Sequence, residues 1–332
     1  MVTNTQAELS AEELAQIERK YDTESAFRPM GPRMGMLISI ILAAMSVYHF
    51  YASGFALIRE LLHYGIHLSF VLGLTFLLFS WRRDITANGP PKGWYYIDGI
   101  NILDIGLAIL AVCAALYLPL LPPSEAAARA GNPNAMDTFM GSVVLLFTLE
   151  AARRSIGNTL PLIAGFFILY AIFGQSAPGI LKHGGVHWQG FVDGIYGTQG
   201  LYGIAIGAMA KYVFLFILFG VLAARIGLGQ LFIDLATVAA GRYSGGPAKV
   251  AICSSAFMGS ISGSSIANTV TTGALTIPAM KKVGYPPHFA GAVEATASTG
   301  GQITPPVMGA AAFIMVDFLN IPLRDVLAAA LF

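Results

Sequence analysis

Residues 250–280 contain no charged side chain and are mostly apolar or small. A helix that crosses a bilayer needs about 20 apolar residues. This run has 31, which is long for one span and short for two. Its middle reads Ser262-Gly263-Ser264-Ser265. A helix has little reason to continue there, because glycine costs backbone entropy and serine competes for backbone groups. Arg242 and Lys249 precede the run, and Lys281 and Lys282 follow it. Positive charge marks the cytoplasmic side of a membrane protein, so both ends are expected on that side. The pattern predicts a re-entrant hairpin that enters the bilayer and returns. The next segment is interrupted in another way. Residues 289–298 and 307–318 are each too short to span, and Thr299-Gly300-Gly301-Gln302-Ile303-Thr304-Pro305-Pro306 lies between them. Irregular backbone at membrane depth survives only inside protein or along a cavity. Two such breaks in succession are the sequence mark of an ion and substrate site in a secondary transporter.

The rest of the chain reads as an all-α integral membrane protein, a multi-span helical bundle. Hydrophobic residues make up 55% and charged residues 11%, about half the usual charged share. The net charge of +1, with no basic stripe, gives no reason to expect a nucleic-acid partner. Residues 1–33 form a polar lead, with a short helix expected near 11–21 after Ser10. No signal peptide is visible, so the first apolar run is expected to act as an uncleaved anchor. Spans are expected near 35–57, 66–81, 102–121, 138–152, 160–174 and 204–224, followed by an interfacial amphipathic helix at 229–240. Lysine and arginine in the short loops put the N-terminus in the cytoplasm and return the chain there after the fourth span.

Few side chains outside the breaks suggest chemistry. Cys113 and Cys253 lie in apolar runs and are expected as buried packing thiols. Glu150, Arg153 and Arg154 fall within one helical turn and read as an interfacial ion pair with snorkelling arginines. His63 and His67 have the spacing of a metal pair but no third ligand nearby in sequence. Lys211 falls inside the sixth span, where it either snorkels outward or faces a cavity.

The two breaks offer oxygen. Ser262, Ser264, Ser265, Thr299 and Thr304 carry hydroxyls, and unwound backbone adds carbonyls. Oxygen-only ligands suit a hard monovalent cation such as sodium and not a transition metal. Half-helices that start at a break aim their N-terminal dipoles at the membrane centre, which suits an anion. Ser264, Asn268 and Thr299 are the candidate substrate contacts. Glu294, one turn before the second break, is either a proton or ion carboxylate, grouped with the candidate substrate contacts, or a polar residue near the cytoplasmic mouth.

Four stretches carry a resemblance: G-G-P-A-K-V-A at 245–251, I-S-G-S-S at 261–265, I-P-A-M-K-K-V-G-Y-P-P at 277–287 and A-S-T-G-G-Q-I-T-P-P-V-M-G-A-A-A-F-I-M at 297–315. They resemble the large membrane subunit of tripartite ATP-independent periplasmic (TRAP) transporters. The likeness covers about 158–332, the first half of that subunit. Residues 34–154 are more weakly similar to the four-helix small subunit. The order looks like the fused form that partners a TAXI-type soluble receptor.

The resemblance implies three parts: a cytoplasmic segment at 1–33, a small-subunit-like membrane domain at 34–156, and an incomplete transport domain at 157–332. It implies the first half of an elevator-type inverted-repeat fold in the bacterial inner membrane. It also implies sodium coupling and an organic-anion (carboxylate) cargo handed over by a periplasmic binding protein. Carried over by motif, Ser262 and Ser265 supply the hairpin side of a sodium site. Gly301, Thr304 and Pro306 supply the other side, mostly through carbonyls. The second hairpin and second broken helix of the family have no counterpart here, so a partial chain is expected, and residues 1–332 are not expected to transport alone. An elevator-type anion carrier without a soluble receptor and a non-transporting scaffold subunit remain open. An enzyme is not expected, because the serines at 262–265 have no histidine or lysine in the same apolar run.

The loop charges yield a topology test. A cysteine at Lys281 should label from the cytoplasm and one at Asn132 from outside. Labelling at Lys281 from outside would remove the re-entrant hairpin.

Overall fold

The computed structural model describes residues 27–81 and 93–331. The helix expected near 11–21 lies outside the described residues. Among the described residues six helical segments are long and apolar enough to cross a membrane. They are α1 (Pro32–Gly54), α2 (Glu60–Leu78), α3 (Ile102–Leu120), α5 (Ala135–Ser155), and two that run over residues 159–176 and 204–223. Each coincides with an expected span, and the chain is an all-α multi-span membrane protein. Among the described residues the strands are confined to one hairpin, β1 (Tyr96–Ile97) antiparallel to β2 (Ile100–Asn101).

The chain divides into two compact units. Of the described residues, one holds 27–47, 57–81 and 93–203, the other 48–56 and 204–331. In the first unit α2 and α3 pack along their length, and α5 packs on both. Ala108, Ala111 and Ala115 are buried on one side of α3, while Leu103 and Ile109 stay exposed. Lipid is as apolar as leucine, so membrane helices pack through small residues and leave large ones to the lipid. Cys113, expected inside, is exposed instead, because it falls on the same outer face of α3 one turn after Ile109, and Cys253 is half-buried. Both thiols are free.

Charge is buried where the sequence suggested snorkelling. Arg154 is 2% exposed and bonds Asp104 at 2.8 Å and Glu150 at 2.7 Å. Arg28 reaches the other oxygen of Asp104 at 2.9 Å and donates to the Phe76 carbonyl at 2.9 Å. Arg154 also donates to the Phe79 carbonyl at 3.2 Å. Two guanidinium groups therefore close the C-terminal end of α2 and share one carboxylate, an arrangement favoured by the dipole and by the unmet carbonyls there. Only Arg153 behaves as expected: it pairs with Glu150 at 2.7 Å while remaining partly exposed.

Pro119 interrupts α3 near its end. It has no N–H, so the Ala115 carbonyl four residues back loses its helical donor. The Tyr202 hydroxyl donates to that carbonyl at 2.7 Å, and Tyr196 donates to Ala114 O at 2.7 Å. Tyr196 belongs to α7 (Trp188–Tyr196), which packs on α5 and follows α4 (Pro123–Arg129) and α6 (Thr159–Phe173) in the chain. Burial holds the Tyr202 phenol well above its usual pKa, so the donor proton stays in place.

In the second unit α8 (Ile204–Ala208) passes through a π-helical turn, Met209–Val213, into α9 (Phe214–Arg225). Lys211 lies in that turn. The helix α10 (Leu228–Ala240) buries Gly229, Ala236 and Ala240 and leaves Leu231, Leu235 and Val238 exposed. Phe232 turns inward to meet Phe257, with ring centroids 5.6 Å apart. Then come α11 (Gly246–Ser262), α12 (Ser265–Lys282), α13 (Pro287–Gly301), α14 (Ala310–Leu319) and α15 (Leu323–Ala329). The first three of these pack on one another, and α10 packs on α11.

Tyr202→Phe should leave the Ala115 carbonyl buried without a donor. The expected loss is about 1–3 kcal/mol, read as a lower melting temperature in detergent. An unchanged melting temperature would mean that water or another group satisfies this carbonyl.

Candidate functional site

The first break is a turn of two residues. The helix α11 ends on Gly263, whose φ is 61° and whose N–H donates to Gly259 O at 3.0 Å. Only glycine takes that left-handed position without strain. A side chain there would also strike Met308 O, 2.2 Å from where a Cβ would stand. The chain re-enters helix at once, with Asn268 N donating to Ser264 O at 3.0 Å. At 17 and 18 residues, α11 and α12 are each about 25–27 Å long. That falls a little short of the roughly 30 Å hydrocarbon core.

The second break falls later than expected. Residues 299–301 remain helical, and the irregular stretch is 302–309. Close packing explains the shift: a Cβ on Gly259 would come within 2.4 Å of the Gly301 Cα, so α13 keeps its helix through Gly300-Gly301 to lie directly on α11. The helix then tightens. Gln302, Ile303 and Thr304 donate to Thr299, Gly300 and Gly301, each at 3.1 Å. The Pro305–Pro306 peptide is cis, and Met308 has φ 57°. The loop is tied down at both ends, by Val307 N to Ser260 O at 3.0 Å and by Gly309 N to Gln302 O at 2.7 Å.

The breaks meet. Gln302 Nε2 donates to Ser265 Oγ at 3.2 Å, linking the broken helix to the hairpin tip. Asn268 is fully buried and donates to Ser255 O at 2.8 Å. Its side-chain nitrogen lies against Gly301, where a Cβ would stand 2.7 Å away. Ser262, Ser264, Ser265, Asn268 and Gly301 thus share one neighbourhood. Ser262 Oγ is 3.5 Å from Ser264 N, at the limit of a hydrogen bond. Thr299 and Thr304 spend their hydroxyls locally, on Ala295 O at 2.7 Å and Gly300 O at 3.1 Å. Pro306 is exposed. Two helix C-termini, of α11 and α13, and two N-termini, of α12 and α14, converge here. The carbonyl ends and hydroxyls offer oxygen to a cation, and the N-terminal ends favour an anion. The donor set is compatible with sodium.

Glu294 sits deeper than its sequence position suggested. It is fully buried on α13. Ser255 of α11 donates to its Oε1 at 3.0 Å and Ser298 of α13 at 3.1 Å. Thr272 and Thr276 of α12 donate to Oε1 and Oε2. Sequence reasoning missed these four hydroxyls, together with Gln302 and Ser260. The spacing of Thr272 with Thr276, and of Glu294 with Ser298, puts each pair on one helix face. Nothing in the sequence says that the two faces meet. His63 and His67 are both buried in α2, and no cluster of three or more His, Cys, Asp or Glu side chains occurs among the described residues.

A multi-pass helical membrane protein with two interrupted helices joined at their breaks is a transport-protein architecture. Residues 143–332, more than half of the chain, match the family described as "Tripartite ATP-independent periplasmic transporter, DctM component". The chain belongs to this family and is a TRAP transporter membrane subunit. A putative TRAP transporter large permease protein of Haemophilus influenzae is 40% identical over 91 residues, 27% of this chain and 21% of that protein. The isethionate TRAP transporter permease protein DctMQ of Oleidesulfovibrio alaskensis is 30% identical over 182 residues, 52% of this chain and 28% of that protein. The C4-dicarboxylate TRAP transporter large permease protein DctM of Rhodobacter capsulatus is 33% identical over 91 residues, 27% of this chain and 21% of that protein. The matches span only 21–28% of these relatives' own lengths. These relatives are permeases by name, not enzymes. No solved structure matches the chain.

Gly259→Ala should drive a methyl into Gly301 and cost about 1–3 kcal/mol as overpacking. Gly300→Ala, with nothing within 4 Å of its Cβ position, should be tolerated. Thermal unfolding of the two variants side by side tests the close approach of α11 and α13.

Proposed function

We propose that this chain is the membrane subunit of a sodium-coupled importer of organic anions, fed by a periplasmic binding protein. In this reading α11 and α12 form a re-entrant hairpin in the bacterial inner membrane, with the N-terminus in the cytoplasm. Ser262, Ser265 and the carbonyls of Gly301, Thr304 and Pro306 hold the coupling sodium. Ser264, Asn268 and Thr299 line the path of the anion. Residues 34–156 act as a fused small subunit of the kind that serves TAXI-type receptors.

The observation that carries the proposal is the bond between Gln302 and Ser265, which joins the two breaks at one oxygen-rich point. A donor set of hydroxyls and carbonyls without a charged ligand at the tip also suits reversible binding of a monovalent cation. The cargo class is supported by the names of two relatives, one for isethionate and one for C4-dicarboxylates; both are organic anions.

The test is uptake by the full-length protein in proteoliposomes, with and without a sodium gradient and with candidate binding proteins added. Ser262→Ala and Ser265→Ala should each raise the half-saturating sodium concentration by roughly 5- to 150-fold, a lost ligand being worth about 1–3 kcal/mol. Sodium activation curves that match the unaltered protein in both variants would overturn the site. Uptake that needs no binding protein would favour a carrier without a receptor.

A further inference from the structure

Glu294 is a buried carboxylate about two helical turns from the tip, and no cation among the described residues pairs with it. Among the described residues its oxygens meet hydroxyls alone, from Ser255, Thr272, Thr276 and Ser298. The helices packed on it carry Lys249 and Cys253 on α11, Lys281 and Lys282 on α12, and His288 on its own helix α13. None of these bonds to Glu294, and the ion pairs formed by the described residues lie elsewhere. An ionised carboxylate in such surroundings depends on donated hydrogen bonds, and four hydroxyls supply them.

The same hydroxyls have a second use. Thr272 Oγ1 also lies 2.8 Å from Asn268 O, and Thr276 Oγ1 lies 3.0 Å from Thr272 O. Each threonine can therefore aim its proton at the carboxylate or at its own helix. When Glu294 is ionised, the hydroxyl protons turn to it. When Glu294 is protonated, its O–H donates to a threonine oxygen, and that threonine returns its proton to the carbonyl one turn back. Neither state leaves a buried donor without an acceptor.

We propose that Glu294 is a reversible proton-binding site and that its charge sets the sodium affinity of the hairpin tip. The proton comes from water and returns to water, with no other bond made or broken. The link to the tip is short. Thr272 Oγ1 is 3.4 Å from Asn268 Oδ1, and the Asn268 side-chain nitrogen abuts Gly301. Ionised Glu294 adds a negative charge behind the tip, inside a medium that screens poorly, so it favours a cation there. Protonation removes that charge. Sodium should bind more weakly as pH falls. The sodium arm rests on the proposed function above, whereas proton binding does not.

The experiment has two readouts on the full-length protein. The first is infrared difference spectroscopy of the purified protein during a pH titration. A carboxylic-acid band should appear as pH falls, vanish in Glu294→Gln, and change frequency in Thr276→Val, which removes the donor to Oε2. The second is sodium binding or sodium-activated uptake as a function of pH. The half-saturating sodium concentration should rise several-fold as pH falls in the unaltered protein and in Glu294→Asp, and should lose its pH dependence in Glu294→Gln. The proposal is overturned if no band is lost in Glu294→Gln, or if that variant keeps the full pH dependence. If Glu294→Gln does not fold, Thr276→Val decides: a shifted band supports the site, and an unshifted one removes it. If no protein shows a sodium response, the sodium-coupled reading fails while the infrared band still reports on proton binding.

Discussion

A backbone carbonyl or amide in hydrocarbon has no water to fall back on. In the second unit the backbone is paired where two of its helices break. Its chain leaves helical geometry at 263–264 and again at 302–309. Each irregular stretch is satisfied by the other or by its immediate neighbours. Val307 N finds Ser260 O, Gly309 N finds Gln302 O, and the Gln302 side chain finds Ser265. Three glycines make the approach possible. Gly259 and Gly301 let α11 and α13 touch backbone to backbone, and Gly263 lets the tip turn beneath Met308. Where a soluble protein would solvate such loops, this one stacks them.

Buried charge is handled in two contrasting ways. In the first unit Asp104 is shared between Arg28 and Arg154, and the arginines spend further donors on the carbonyls at the end of α2. Opposite charges at short range with many hydrogen bonds make a fixed joint, because removing either partner strands a charge. Glu294 in the second unit has hydroxyls in place of a counter-charge. Hydroxyls rotate and can donate in more than one direction, so that arrangement can accept a change of charge. The first cluster clamps packed helices, and the second surrounds its carboxylate with hydroxyls.

Pro119 shows how one local rule reaches across the structure. The ring removes a helical donor from α3, and the correction comes from Tyr202, far along the chain. A polar group in a membrane helix is rarely a local matter, since its partner must be another part of the protein.

Much of this architecture was readable in the sequence. Long apolar runs located six spans, because hydrocarbon thickness sets a length and a composition that few other constraints mimic. Ser262-Gly263-Ser264-Ser265 and the glycine–proline stretch after Thr299 announced two interruptions, because intrinsic helix preference is a property of the residues themselves. The second interruption was read three residues early, since propensity favours a break at Gly300-Gly301 and says nothing of the contact with Gly259 that keeps them helical. Arg154 was read as snorkelling because its partner, Asp104, lies 50 residues away and on another helix. The hydroxyl shell of Glu294 was invisible for the same reason. Periodicity assigns Ser255, Thr272, Thr276 and Ser298 to faces of three helices, but which faces meet is decided by packing. The sequence by itself determined where this chain can be helical and where it must break; the tertiary structure alone decided which breaks, charges and hydroxyls face one another, because those pairings join residues whose separation along the chain carries no signal of their contact.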